Sequence, residues 1–296
     1  MSSNAKPEQS LNFALFFFAY YGYIGVFSPY ASLYFADRGL SAAQIGVLMS
    51  TMQVMRIFGP NLWGWVADHT RRRVMVLRLT SAASALVFCG MFWGEAFVFF
   101  FGLMLTLNLF TSAQGPLSEA LMLSSMRGDL THYGRLRLWG SVGFIVTVIA
   151  AGQLLDWQGI RLMPWIALVL LVMVSVVALN LREEASVLRS QDTPSVRQLL
   201  RQKEVIAFFI STFLMVAAHA SLYVYYSLYL SQIGYSKTVI GLMWSLGVVA
   251  EILFFYFQAP LFRRFGVATL MLTSLLIGVV PRYSMQRPLA FITLPQ

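Results

Sequence analysis

The chain has 296 residues, of which 58% are hydrophobic and 11% charged, and it carries a net charge of +9. So much apolar surface exceeds what one soluble core of this size can bury, which excludes a soluble globular enzyme or binding module and points to an integral membrane protein. The single cysteine, Cys89, excludes a disulfide framework and a cysteine-rich metal site, and it reads as a small buried hydrophobe.

The opening Met1 to Glu8 is short and polar. The apolar run behind it is too long for a signal-peptide core, so it reads as a retained first helix. Runs of about 20 apolar residues, enough to cross about 30 Å of hydrocarbon, fall near 11–35, 43–66, 74–93, 96–123, 137–156, 162–181, 205–230 and 238–258. These predict eight membrane helices. A ninth run begins near Val267 and loses its apolar character at Pro281. Ser41-Ala-Ala-Gln44 reads as a capping box opening the second helix.

Most connections are short, as antiparallel neighbours require, but residues 182–204 are polar and mixed in charge, with a break at Thr193-Pro194-Ser195. The expected organisation is therefore a six-helix repeat over 1–181, a cytoplasmic central loop over 182–204, and a partial second repeat over 205–280. Residues 281–296, with two prolines and two arginines between Pro281 and Pro288, have no helical period and read as an aberrant tail. A truncated or frame-shifted reading would produce such a tail, and a genuinely short form is the alternative.

Basic residues divide unevenly between the two sets of loops. With the N-terminus in the cytoplasm, cytoplasmic segments hold 15 Lys or Arg and the opposite loops hold three, Arg38, Arg161 and Lys237. That is the positive-inside pattern. The basic surplus is thereby topological, which argues against a nucleic-acid partner.

An internal repeat points to transport. Ser32-Leu33-Tyr34, Gly39, Ser41 and Ile45-Gly46 recur 195 residues later as Ser227-Leu228-Tyr229, Gly234, Ser236 and Ile240-Gly241. The same offset takes Arg56 to Glu251, and each lies near the middle of an apolar run. An ionised side chain there costs about 2.5 to 3.5 kcal/mol on insertion scales, so it faces a partner or a water-filled cavity. A parallel duplication with polar sites between its halves is a transporter pattern.

Three blocks carry a family resemblance. Gly64-Trp-Val-Ala-Asp68-His69-Thr70-Arg71-Arg72-Arg73 joins the second and third helices. It resembles the signature loop of the major facilitator superfamily, although His69 and Thr70-Arg71 depart from the usual pattern. The resemblance implies a gating loop in which Gly64 permits close helix contact and Asp68 pairs with an arginine near a helix N-terminus, with Arg72 and Arg73 as the basic cluster. The copy near Arg263-Arg264 lacks the acid. Second, Gly115-Pro-Leu-Ser-Glu119 precedes Tyr133-Gly-Arg135-Leu-Arg137-Leu-Trp-Gly-Ser-Val-Gly143. This is similar to the branch holding proton-coupled galactoside symporters and 3-phenylpropionate permeases, and it implies that Glu119 and Arg137 form a substrate-binding ion pair, with a purely structural bridge as the alternative.

Third, Gln53-Val-Met-Arg56-Ile-Phe-Gly59, Ala218-His219-Ala220 and Trp244-Ser-Leu-Gly-Val-Val-Ala-Glu251 resemble the 3-phenylpropionate permease group, from about Tyr20 to Val280. His219 could exchange a proton near neutral pH. Glu251, in a run of Val, Ile, Leu and Phe, is a candidate proton carrier, while Arg56 could clamp a carboxylate or pair with Glu251. Tyr20, Tyr21, Tyr23, Tyr30 and Tyr34, with Tyr223, Tyr225, Tyr226 and Tyr229, form two aromatic faces related by the repeat; most would pack or belt the interface, and some could stack on an aromatic substrate.

The expectation is an all-α polytopic bundle of the major facilitator fold, built as 6 + 6 parallel repeats with the second incomplete. Its implied function is proton symport of a small organic acid, an aromatic monocarboxylate such as 3-phenylpropionate, by a monomer in lipid of the bacterial inner membrane. Substrate binding falls to Arg56, Glu119 and Arg137 and proton coupling to His219 and Glu251, with no cofactor and no metal. A neutral sugar or nucleoside symporter and a non-transporting fragment are the alternatives. No nucleotide loop, His-Glu-x-x-His motif or nucleophile elbow is present, so an enzyme is not expected.

Overall fold

Eight α-helices form in the computed structural model, which describes residues 7–125, 130–183 and 202–265, with 269 and 273. They are α1 (Pro7–Asp37), α2 (Ala42–Thr70), α3 (Arg73–Phe88), α4 (Phe97–Ser125), α5 (Leu130–Gln158), α6 (Met163–Asn180), α7 (Lys203–Gln232) and α8 (Lys237–Arg264). Among the described residues six stretches are long and apolar enough to cross a membrane, and α2 is not one of them. In α2 the reason is visible in the sequence: Gln53, Arg56 and Asn61 interrupt its apolar run. The partial ninth run, the 193–195 break and the 281–296 tail lie outside the described residues.

Within the first half α1 packs on α5 and α6, α2 on α4, and α3 on α4 and α6. Membrane helices gain nothing from hiding apolar surface from lipid, so their backbones come close through small residues. A Cβ at Gly143 of α5 would overlap the Phe18 carbonyl of α1. One at Gly59 of α2 would overlap Ser112 of α4. Helix ends are tied by side chains, because the last carbonyls of a helix have no partner of their own. Arg78 donates to the carbonyls of Ala178, Leu179 and Leu181 at 3.2, 2.8 and 2.8 Å, closing the C-terminus of α6.

The internal repeat is preserved bond for bond at the α1–α2 and α7–α8 turns. Gly39 and Gly234 both adopt positive φ, +81° and +94°, which a glycine takes without the steric cost of a Cβ. Around them the main-chain bonds Arg38 N–H to Tyr34, Gly39 to Ala36, Leu40 to Phe35 and Ile45 to Ser41 recur as Ile233 to Tyr229, Gly234 to Ser231, Tyr235 to Leu230 and Ile240 to Ser236. Ser41 completes the predicted capping box with Gln44, and Ser236 Oγ accepts the Val239 N–H at 3.3 Å.

Both turns lie at one end of the bundle, and here the halves interlock. The Tyr30 hydroxyl donates to the Lys237 carbonyl at 2.9 Å, and the Tyr225 hydroxyl donates to the Ala42 carbonyl at 3.2 Å. These are the same contact seen from the two repeats, since 30 and 225, and 42 and 237, each differ by 195. Gly241 and Gly46 make it possible, because a Cβ at either would overlap the incoming tyrosine hydroxyl. Asp156, at the end of α5, accepts the N–H groups of Lys237 and Thr238 at 2.7 and 2.8 Å and the Thr238 hydroxyl at 2.6 Å, with the Lys237 ammonium 3.6 Å away. A carboxylate thereby sits at the positive N-terminus of α8.

The buried core divides into two clusters at different depths. One, around Tyr30, Phe35, Ile45, Phe88 and Phe100, takes in Leu230 and Ile240 of the second half. The other, around Phe13, Phe17, Leu77, Met122 and Val174, consists of first-half residues alone among those described.

Candidate functional site

Three helices each turn one face toward a cleft at mid-depth of the bundle. From α1 come Tyr20, Tyr23, Ile24, Phe27 and Ser28; from α2, Met52 and Arg56; from α4, Asn108, Thr111 and Ser112. The spacings of three, four, seven and eight residues are those of a single helical stripe. The space left between these side chains is about 30 Å³. That is room for one or two waters.

Arg56 is exposed at this cleft, and its Nη1 donates to Gln53 Oε1 at 3.4 Å, one turn away on its own helix. Its guanidinium has no carboxylate within 4 Å among the described residues, so the expected pairing with Glu251 does not form here. Asn108 spends its amide N–H on Thr51 Oγ1 at 3.0 Å, and Thr51 in turn donates to the Leu48 carbonyl at 2.6 Å, pinning α4 to α2. The hydroxyls of Tyr23, Ser28 and Thr111 have no hydrogen-bond partner among the described residues, although Tyr23 is 4% and Thr111 8% exposed. None of these three hydroxyl oxygens is fully enclosed, unlike Ser81 Oγ and Gln114 Oε1, so each can be reached from the cleft. Pro116 lacks the N–H that would take up the Ser112 carbonyl one turn back, which leaves a further acceptor on the α4 face.

Glu119 and Arg137 meet nearer the end of the bundle that carries Arg71 to Arg73. Arg137 Nε lies 3.2 Å from Glu119 Oε1, and the Tyr21 hydroxyl approaches the same oxygen at 3.5 Å. The guanidinium stands 4.0 Å from the centre of the Tyr21 ring, which adds a cation–π attraction. Both side chains keep about a third of their exposure, 31% and 37%. Tyr20 stands between this pair and the cleft: it lines the cleft, packs its hydroxyl against Gly115, and feels the charges of Arg56, Glu119 and Arg137. Two charged positions thus sit on either side of one phenol.

The remaining predicted residues are placed differently. Glu251 is exposed on α8 rather than buried among its apolar neighbours, because those neighbours are themselves largely exposed on this stretch of helix. His219 falls within α7, but its side chain lies outside the described residues. Arg135 is exposed. In the α2–α3 loop Asp68 pairs with Arg73 at 2.8 Å, while the N–H of Arg73 at the start of α3 is taken by Glu183 at 2.9 Å, an acid that sequence reasoning did not single out. Arg72 reaches only the Met75 sulfur, at 3.9 Å. Gly64 does not mediate a close helix contact, since a Cβ there would meet nothing within 4 Å among the described residues; Gly59 does that work at Ser112.

The tyrosines of the two predicted aromatic faces serve several different places. Tyr20 and Tyr23 line the cleft and Tyr21 covers Arg137. Tyr30 and Tyr225 lock the halves, and Tyr34 donates to the Met91 carbonyl at 2.9 Å. Tyr223 and Tyr226 pack on Trp244, and Tyr229 packs against the core shared by the two halves. The polar stripe Asn108, Thr111 and Ser112 went unnoticed in the sequence, although its spacing of three and four inside an apolar helix was a readable signal. No group of His, Cys, Asp or Glu suited to a metal ion occurs among the described residues.

Comparison with known proteins fits this architecture. A probable 3-phenylpropionic acid transporter of Escherichia coli strain K12 is 30% identical over 271 residues, covering 90% of this chain and 71% of the relative. A maltose permease of Geobacillus stearothermophilus is 29% identical over 287 residues, 95% of this chain and 72% of the relative. Among solved structures the nucleoside transporter NupG superposes with a TM-score of 0.74 at 19% identity, covering 88% of this chain and 69% of that one, a likeness of fold. The family model matching residues 10–287 is that of the MFS_1 like family. The chain belongs to that family, and thus to the transporters, not the enzymes, of the major facilitator superfamily.

Proposed function

We propose that this chain is a proton symporter for a small organic acid, an aromatic monocarboxylate of the 3-phenylpropionate type. The observation that carries this reading is the cleft itself: an unpaired guanidinium, Arg56, beside the rings of Tyr20, Tyr23 and Phe27. A carboxylate gains charge-assisted, planar hydrogen bonds from a guanidinium, and an aromatic wall suits a phenyl ring. The name carried by the E. coli relative agrees with this chemistry. Arg137 is the second anion contact, and Glu119, Glu251 and His219 are the groups that hold or pass the proton. The loop from Gly64 to Arg73 is the gate element. We place the basic end of the bundle in the cytoplasm and the chain, as a monomer, in the bacterial inner membrane, with residues 1–181 and 205–280 as the two repeats around the 182–204 loop.

The test is binding of 3-phenylpropionate to the purified chain, followed by uptake into proteoliposomes under an imposed pH gradient. Arg56→Gln is expected to abolish binding, and Glu119→Gln and Arg137→Gln to weaken it at least tenfold. Glu251→Gln is expected to lose uphill accumulation while keeping exchange. Binding that is indifferent to Arg56 would remove the carboxylate reading. A neutral sugar or nucleoside is the second reading, favoured by the unpaired hydroxyls of the cleft and by the names of the maltose and nucleoside relatives.

A further inference from the structure

The cleft beside Arg56 offers more hydrogen-bonding capacity than a plain phenyl ring can use. Tyr23, Ser28 and Thr111 present hydroxyls with no protein partner among the described residues, and Tyr23 and Thr111 are more than nine-tenths buried. Tyr23 and Ser28 line the cleft from α1, as do Ile24 and Phe27, and Thr111 lines it from α4. Many other serines and threonines of the bundle, Thr51, Thr80, Ser84, Ser118 and Thr147 and also Ser112 in the cleft itself, return their hydroxyls to a carbonyl of their own helix, while the buried Ser81 hydroxyl has no partner among the described residues. A hydroxyl in an apolar helix takes that bond by default, because the alternative is an unsatisfied polar group away from water. Ser28 and Thr111 of the cleft do not take it, and their hydroxyls stay available to the cleft.

We infer that the ligand of this cleft carries, besides the carboxylate held by Arg56, a hydroxyl group on its ring, which exchanges hydrogen bonds with Thr111 and Tyr23. The substrate class is a phenolic or otherwise ring-hydroxylated aromatic acid. This rests on the reading of Arg56 as a carboxylate clamp and narrows it. Ser28, one turn beyond Ile24, extends the same polar edge for a second substituent.

The experiment is a direct binding measurement on the purified full chain with 3-phenylpropionate, 3-(3-hydroxyphenyl)propionate, maltose and uridine. The hydroxylated acid is expected to bind on the order of tenfold more tightly than the unsubstituted one, the worth of one or two well-made neutral hydrogen bonds. Thr111→Val, nearly the same shape without the hydroxyl, and Tyr23→Phe should together bring that ratio close to one, whereas Thr111→Ser should keep it. Equal binding of the two acids by the unaltered chain, abolished by Arg56→Gln, would overturn the inference and leave the carboxylate clamp standing. A ratio that survives Thr111→Val with Tyr23→Phe would also overturn it. Binding of maltose or uridine with neither acid bound would remove the clamp itself, and binding of none of the four would remove both.

Discussion

The two ends of the bundle are built on different principles. At the end of the Gly39 and Gly234 turns, the halves are joined by side chains that reach main-chain groups across the repeat boundary: Tyr30 to Lys237, Tyr225 to Ala42, Asp156 to the start of α8. At the basic end, the described buried cluster belongs to the first half alone, and the ties are local, Asp68 to Arg73, Glu183 to the start of α3, and Arg78 to the end of α6. Among the described residues, one end is fastened between halves and the other within a half.

The contrast is most sharply broken at Gly241. Gly241→Val would place a side chain onto the Tyr30 hydroxyl and the Val148 carbonyl, both within 3 Å of a Cβ there. The interlocked end should part, and a cysteine placed at Ile240, fully buried in the core shared by the halves, in a Cys89→Ser background should label at least tenfold faster with a thiol reagent. An unchanged rate would mean that this end is not held by the tyrosine contacts. Next in size is Asp156→Asn, which keeps the acceptor oxygen for one N–H and loses the charge facing Lys237 and the N-terminus of α8. A capping loss of about 1 kcal/mol should lower the Tm of the detergent-solubilised chain by a few degrees.

Smaller effects separate the two tyrosines. Tyr30→Phe removes one O–H that is shared between the Val148 and Lys237 carbonyls in a buried place, while Tyr225→Phe removes an exposed bond to Ala42. At about 1 kcal/mol for a net hydrogen bond, and more where the carbonyls are left buried and unpaired, Tyr30→Phe should destabilise more in thermal unfolding, and equal losses would deny that the mirrored contacts differ in burial. Smallest of all, Gly64→Ala at the basic end meets open space and should shift stability by under about 1 kcal/mol in the favourable direction, as a helix-interior glycine replaced by alanine does. A severe loss there would reinstate a close contact at Gly64.

What could be read from the sequence follows from how local its causes are. The helices were legible from apolar runs, and the turns from Ser41, Gln44 and the paired glycines, because capping and positive φ are decided within four residues. The repeat was legible as an offset, and the structure adds that Tyr30 and Tyr225 perform one contact twice. The Glu119–Arg137 pairing was implied by the resemblance to the galactoside symporter branch, and the two side chains do meet. The errors are all tertiary. Gly64 and Gly59 look alike in a helix, and only the position of α4 decides which one touches a neighbour. Nine tyrosines on two faces read as mostly packing or belt, with some able to stack on a substrate; which of them line the cleft, cover the ion pair or join the halves is decided by the tertiary arrangement. The polar stripe of α4 was overlooked because serine and threonine in a membrane helix so often satisfy themselves on their own backbone, and only geometry shows that Thr111 does not.

The mirrored tyrosine bonds end on backbone oxygens, and this has a bearing on how such a duplicated chain can change. Ala42 and Lys237 have nothing in common as side chains, one a methyl group and the other a cation, but each offers the same carbonyl at the same place. A main-chain acceptor is indifferent to the residue that bears it. As far as the tyrosine bonds are concerned, mutation can therefore recolour positions 42 and 237 without unfastening them, and what a change at 237 costs is its ion pair with Asp156. Only the tyrosines that donate and the glycines that make room for them need to keep their identity for the two repeats to go on meeting as equals.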